Sequence, residues 1–414
     1  MKQPRLQMGL AFFGFVLIGI SGGANGVLLP SLSSYYRVDN AVVGLIFITS
    51  SIGYFCSAFI SSLMLEKLGK RMFLALGTVI FLLGILTFAL EPPFIVILAT
   101  RFLLGFGIAM IETGLNAFIV EFRSTPLMNS LHAFFGAGSL IGPLIAAALL
   151  TRWSWNSVYV VLSLTCLPLL FGFLTFFTPH SATSVASASE AEAKTVQANQ
   201  GKPTGNVLVV ALKTPIVWLA SLFLLFYVGV EVSLGNWSYT FLIEGPHLTA
   251  LFSSLIVSGF WLGLTLGRFV LSAISERFGL GPVGLIYLCI VGVLLGSLLI
   301  WFVPVTTLVV VCFCFIGLCL GPIYPTTIAL VPKIVSDRLI SSAIGLLISL
   351  STVGIGLLPW LAGTLAQLTS IWSLLPYIIG LSVLMLLFWW LTFRHAPVAS
   401  LAGTETGEAA SLPL

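Results

Sequence analysis

Ser62-Leu63-Met64-Leu65-Glu66-Lys67-Leu68-Gly69-Lys70-Arg71 stands between two apolar runs, and Ser272-Ala273-Ile274-Ser275-Glu276-Arg277-Phe278-Gly279 stands between two others. Glu66 and Glu276, Lys67 and Arg277, and Gly69 and Gly279 are each 210 residues apart, and Gly53 and Gly263 share the offset. An acid, a base, one further residue and a glycine thus close the same kind of segment twice. The chain reads as two similar halves in tandem.

The solvent of those halves follows from composition. Of 414 residues, 58% are hydrophobic and 7% are charged, where a soluble protein carries roughly a quarter charged residues. The surroundings must be lipid. A formal charge of +4 is too small and too dispersed for a nucleic-acid partner. Cys56, Cys166, Cys289, Cys312, Cys314 and Cys319 all sit in apolar stretches without a C-x-x-C pair, so neither a zinc site nor a disulfide framework is implied. No cofactor or metal is expected. HExxH, a Walker loop and a Ser/His/Asp constellation are all missing, which argues against an enzyme or an ATP-driven pump. Lys2 and Arg5 precede the first apolar run without a clear cleavage site behind it, so that run is read as a span rather than a signal peptide.

A helix crosses the hydrocarbon in about 20 residues. That length predicts an all-α protein of twelve spans, at 8–31, 41–65, 72–90, 94–120, 128–151, 155–177, 214–240, 250–274, 281–303, 305–330, 339–366 and 370–393. The expected organisation is a six-helix bundle over 1–177, a disordered linker over 178–212, a second bundle over 213–396 and a disordered tail over 397–414. The linker is rich in Ser, Ala and Thr and lacks aromatic residues, so it cannot bury enough apolar surface to order itself. Of 17 lysines and arginines, Arg101 and Arg268 lie within spans and only Arg37 and Arg152 fall in one set of loops; the other thirteen fall in the opposite set. The positive-inside rule then places both termini and the linker in the cytoplasm of a plasma or inner membrane.

Two parallel six-helix repeats are a transporter layout, and the quoted motif resembles the loop after span 2 of the major facilitator superfamily, with a serine at its first glycine and Glu66 for its aspartate. Arg101-Phe-Leu-Leu-Gly105-Phe-Gly107 resembles the superfamily's R-x-x-x-G-x-G, and Gly138-Ser-Leu-Ile-Gly142-Pro143 its span-5 bend. Within the superfamily, four stretches are similar to the fucose permease-like sugar:proton symporters: Glu112-Thr113 with Asn116 and Phe118, Asn129-Ser-Leu-His132 with Phe135-Gly136, Tyr324-Pro325-Thr326, and Asn25-Gly26-Val-Leu-Leu-Pro30. The resemblance implies an aspartate for proton coupling in span 1, where this chain has Gly26.

Ionisable groups inside a membrane cost a few kcal/mol or more, about 2.5–3.5 on insertion scales, so each is a functional candidate. Arg101, Glu112, Glu231 and Arg268 are the four clearly within spans. Arg101 and Glu112 are eleven residues apart, about 20° of rotation and roughly 16 Å of rise; they share a face and cannot touch. Asn116 follows Glu112 at i+4. Glu231 precedes Gly235, Asn236 and Trp237, and a glycine beside polar residues suggests an unwound, cavity-lining stretch. Ser254, Ser258, Trp261, Thr265 and Arg268 make one helical face, as do Ser50, Tyr54, Ser57 and Ser61.

The expected solute site comprises Asn25, Glu112, Asn116, Asn129, His132, Asn236, Trp237 and Trp261, whose amides, carboxylate and rings suit sugar hydroxyls and pyranose faces. Glu231 and Glu112 are the expected proton carriers. Glu66, Lys67, Arg71, Arg101, Arg268, Glu276 and Arg277 are expected to gate, because paired charges at helix ends can dock in one conformation and release in another. The resulting expectation is a monomeric, proton-coupled sugar symporter. An exporter of amphipathic or cationic compounds and a non-transporting membrane sensor are the alternatives.

Overall fold

The computed structural model describes residues 2–177, 207–277, 279–303 and 305–394. Among these the regular structure is entirely helical. In hydrocarbon a backbone must satisfy its own hydrogen bonds, and a helix does so within one segment. Eleven helices are long and apolar enough to cross a membrane.

Span 1 is Lys2–Tyr36. Spans 2 and 3 share one helix, Leu45–Ala89, interrupted at Gly69 with φ 69° and ψ 162°. Together with its leading turn that helix counts 50 residues, enough for two crossings, so the protein has twelve spans. Span 4 is Phe94–Val120, span 5 Thr125–Leu150 and span 6 Asn156–Phe176. Span 7 is Pro215–Glu244, span 8 Ala250–Arg277 and span 9 Pro282–Phe302. Span 10 comprises Thr306–Leu320 and Ile323–Ile334. Its break falls at Gly321-Pro322, where proline supplies no N–H and crowds the preceding turn. Spans 11 and 12 are Ile340–Leu368 and Leu374–Arg394.

The tandem seen in the sequence recurs in the backbone. Gly69 and Gly279 both take a positive φ, 69° and 65°, a conformation in which a side chain would be strained. Gly53 lets span 2 meet span 4, since a β-carbon there would overlap the carbonyl oxygen of Phe102. Gly263 does the same for span 8 against the Cys314 carbonyl of span 10. Small residues at crossings are how helices pack where lipid is as apolar as their own side chains. Several buried hydroxyls are satisfied within their own helix: Ser221, Ser382 and Thr327 donate to carbonyls four residues back at 2.7–2.8 Å, and Ser254 does so in its stripe at 2.9 Å.

Two compact units emerge, and they do not follow the linker. One gathers Met1–Lys202 with Val232–Leu262 and Ile355–Leu374; the other gathers Pro203–Glu231, Gly263–Gly354 and Leu375–Leu414. Parts of spans 7, 8 and 11 therefore group with spans 1–6 in this arrangement. Residues 178–206 of the expected linker and the tail 397–414 lie outside the described residues, while Val207–Leu212 is helical rather than disordered.

Candidate solute and proton sites

Within the first unit, Glu112 sits two-thirds along span 4, half-buried. Tyr54 of span 2 donates to its Oε2 at 2.7 Å. Among the described residues, no cation forms an ion pair with Glu112. One turn on, the Asn116 Oδ1 is buried without a hydrogen-bond partner. A carboxylate and an amide at i and i+4 thus stand side by side with hydrogen-bonding capacity to spare, which is costly in an apolar interior unless something fills it.

Arg101 lies deeper in the packing, 2% exposed. Its Nη2 donates to Asn25 Oδ1 of span 1 at 2.8 Å, and its guanidinium lies over the Phe88 ring, 5.0 Å from the centroid. Cross-helix pairing of this kind carries no signal in a single sequence.

The same unit holds a knot of contacts at the end of the bundle that carries Gly44. Trp237, 1% exposed, donates from Nε1 to the Pro359 carbonyl at 2.8 Å and meets the Phe47 ring edge-on at 6.3 Å. Trp360 donates to the Ala41 carbonyl at 3.1 Å, and the Asn40 amide to Gln367 Oε1 at 3.2 Å. Trp237, expected to contact solute, is engaged here in joining spans 2, 7 and 11.

Span 7 is continuous through Gly235, contrary to the expected break. Gly235 instead makes room: a β-carbon there would stand 2.6 Å from the Trp261 ring. Gly26 is explained by the same neighbourhood, since its β-carbon would stand 2.7 Å and 2.8 Å from the carbonyl oxygens of Asn236 and Gly235. Asn236, 8% exposed, spends its Nδ2 on the Val232 carbonyl at 2.8 Å, and its Oδ1 is buried without a partner. Asn129 and His132 are exposed on span 5, with the Phe15 ring edge-on to His132 at 5.4 Å.

Within the second unit, Glu231 and Tyr227 stand one helical turn apart on span 7, with Arg268 of span 8 close enough to act on both. The Tyr227 hydroxyl donates to the Leu320 carbonyl at 3.1 Å. Tyr54 and Tyr227 are the partners that sequence reading left out of the site, although Tyr54 stood in the polar stripe of span 2.

Of the expected gating residues, Glu66, Lys67 and Arg277 are exposed, the Arg71 Nε is buried without a partner, and the Glu276 side chain lies outside the described residues. The ion pair beside Gly69 is Lys70 with Glu121, two residues the sequence reading did not pair. An exposed pair contributes about 0–1 kcal/mol. Glu121→Ala is therefore expected to change turnover by no more than about fivefold, with solute affinity unchanged. Substrate-saturation kinetics would check this, and a lost affinity with normal turnover would take the pair out of gating.

A family model described as Major Facilitator Superfamily matches residues 11–279 and 238–413. The chain is 26% identical over 399 residues to Bypass of stop codon protein 6 of Saccharomyces cerevisiae, covering 89% of this chain and 78% of that one. It is 25% identical over 283 residues to the Glucose/mannose transporter GlcP of Bacillus subtilis, 67% of each chain. Its fold is similar to the crystal structure of the nucleoside transporter NupG, with a TM-score of 0.76, 17% identity, and coverage of 95% of this chain and 100% of that one.

Proposed function

The chain belongs to the Major Facilitator Superfamily of transporters, and on that premise we propose that it moves a neutral, polyhydroxylated solute of the monosaccharide class by alternating access, in symport with a proton. The observation that carries the solute class is the Tyr54–Glu112–Asn116 group, a carboxylate without a paired cation among the described residues beside an amide with an unfilled acceptor. Hydroxyls donate to exactly such acceptors, and each hydrogen bond to a charged group is worth about 1.5–3 kcal/mol. The similarity to a glucose/mannose transporter supports the same class. Asn25 and Trp261 are proposed as further contacts, Asn236 as a polar wall, and Asn129 and His132 as residues of the solute path. Glu231 is proposed as the proton carrier. The end that carries Gly69 is proposed to face the cytoplasm, by the distribution of basic residues.

Proteoliposomes offered D-glucose and D-mannose, with and without a pH gradient, test the reading. Solute-driven proton uptake is the expected result. Efflux of lipophilic cations without sugar uptake would replace it with the exporter, the second reading, which the unpaired charge of Glu112 also suits.

Glu112→Gln is expected to weaken solute binding by about tenfold or more, since at least one charge-assisted bond is lost. Asn116→Ala is expected to cost less, as its bonds are neutral. Equilibrium binding to the purified protein checks both, and wild-type affinity in Glu112→Gln would move the solute elsewhere. Maleimide labelling from outside is expected at a cysteine placed at Glu244 and absent from one placed at Ala193. The reverse pattern would invert the orientation.

A further inference from the structure

Asn25 is half-buried on span 1, and the group behind it decides which way its amide faces. A guanidinium is donor-only. Arg101 can therefore engage Asn25 only through the amide oxygen, as it does at 2.8 Å. Arg101 is itself 2% exposed and backed by the Phe88 ring, so the donor cannot swing away. The Asn25 amino group is then committed to the opposite direction, and among the described residues no hydrogen bond engages it. Space lies beside it: Gly22, three residues back on the same face of span 1, is exposed, and a β-carbon there would meet no atom within 4 Å.

We propose that Arg101 is a positioning residue that locks the Asn25 amide so that its Nδ2 donates to an acceptor oxygen of the solute. This rests on the proposed transport of a polyhydroxylated solute and adds to it a polarity. Where an ionised Glu112 accepts from a hydroxyl, the Nδ2 of Asn25 in this lock donates to one. A cation bonded to the amide oxygen also polarises the amide, strengthening its N–H groups as donors. The two groups together ask for a solute whose hydroxyls serve in both senses, which a sugar offers and an amphipathic cation does not.

The test is binding to the full-length purified protein by calorimetry, first of D-glucose, D-mannose and uridine. Deoxy and deoxyfluoro analogues of whichever binds follow. A hydroxyl that only accepts can be replaced by fluorine but not by hydrogen. The expected wild-type result is one ring position at which the deoxy analogue loses about tenfold or more in affinity and the fluoro analogue loses much less. Asn25→Asp keeps a partner for Arg101 and removes the donor. It is expected to melt at or above the wild-type temperature, to bind at least about tenfold more weakly, and to lose the distinction between fluorine and hydrogen. Arg101→Lys, a single-point donor without the planar fork, is expected to shrink that distinction at the same position. A merely structural pair would leave the analogue pattern untouched. Wild-type affinity and pattern in Asn25→Asp would overturn the inference and leave the proposed function standing. Binding of none of the three probes by wild type would overturn the proposed function and this inference with it.

Discussion

Gly26→Val slows turnover sharply while the protein remains folded in the membrane, because it drives a side chain between spans 1 and 7. A β-carbon at 26 would come within 2.7 Å of the Asn236 carbonyl oxygen and 2.8 Å of that of Gly235. Neither obstacle is the end of a flexible side chain; both are backbone in an unbroken helix. Spans 1 and 7 would have to separate, and with them the contacts of Trp237 and Trp360 nearby. Overpacking of a tight contact costs about 1–3 kcal/mol, so turnover should fall about ten- to a hundredfold. The six native cysteines are first replaced and a reporter cysteine is placed at Ser51, which is buried in this state beside Gly356. Faster maleimide labelling of that cysteine in the valine variant, together with lost solute exchange, is the expected pair of results. Wild-type exchange would mean that the approach of spans 1 and 7 is no part of the cycle.

Glu231→Gln is expected to abolish solute accumulation driven by a pH gradient and to leave solute exchange intact. Span 1 has no acid, and Glu66, Glu244 and Glu276 stand at span ends, so of the acids well inside spans only Glu112 and Glu231 remain. Glu112 is claimed by the solute in the proposed scheme. Glu231 lies within the electrostatic reach of Arg268, so taking a proton would remove the negative charge that faces this cation. That is the kind of local electrostatic event that biases a two-state element. Glutamine keeps the shape and removes the exchangeable charge, which separates coupling from transport. Retained pH-driven accumulation would pass the proton to Glu112. Transport by wild type with no proton dependence would mean a uniporter or a different coupling ion, and the proton-symport reading would fall.

Much of the fold was legible because a bilayer imposes a length. Span 4 was expected at 94–120 and is found there, since the apolar run and the helix end at the same charged residue, Glu121. The boundary between spans 2 and 3 was equally plain, but not that the helical trace carries through it with only Gly69 out of line. The site was less legible. Glu112, Asn116 and Glu231 announce themselves by being polar in lipid. Tyr54, Tyr227 and the Arg101–Asn25 bond depend on which helices are neighbours, and spacing along one helix says nothing about that. Gly235 shows the opposite failure. A glycine among polar residues was expected to unwind span 7, yet here it admits the Trp261 ring and the approach of span 1. The residue that was needed was the smallest one, not the most flexible one.

The hydrogen bond from Trp237 to the Pro359 carbonyl gives the protein a built-in optical probe. An indole sealed at 1% exposure emits at shorter wavelength than one in water, and a fixed hydrogen bond holds its orientation. If the contacts between spans 2, 7 and 11 open during each cycle, the emission of this one ring changes in step with them. A variant that retains Trp237 and replaces the other nine of the ten tryptophans would let the opening be followed by fluorescence in real time, with no dye attached and no solute labelled.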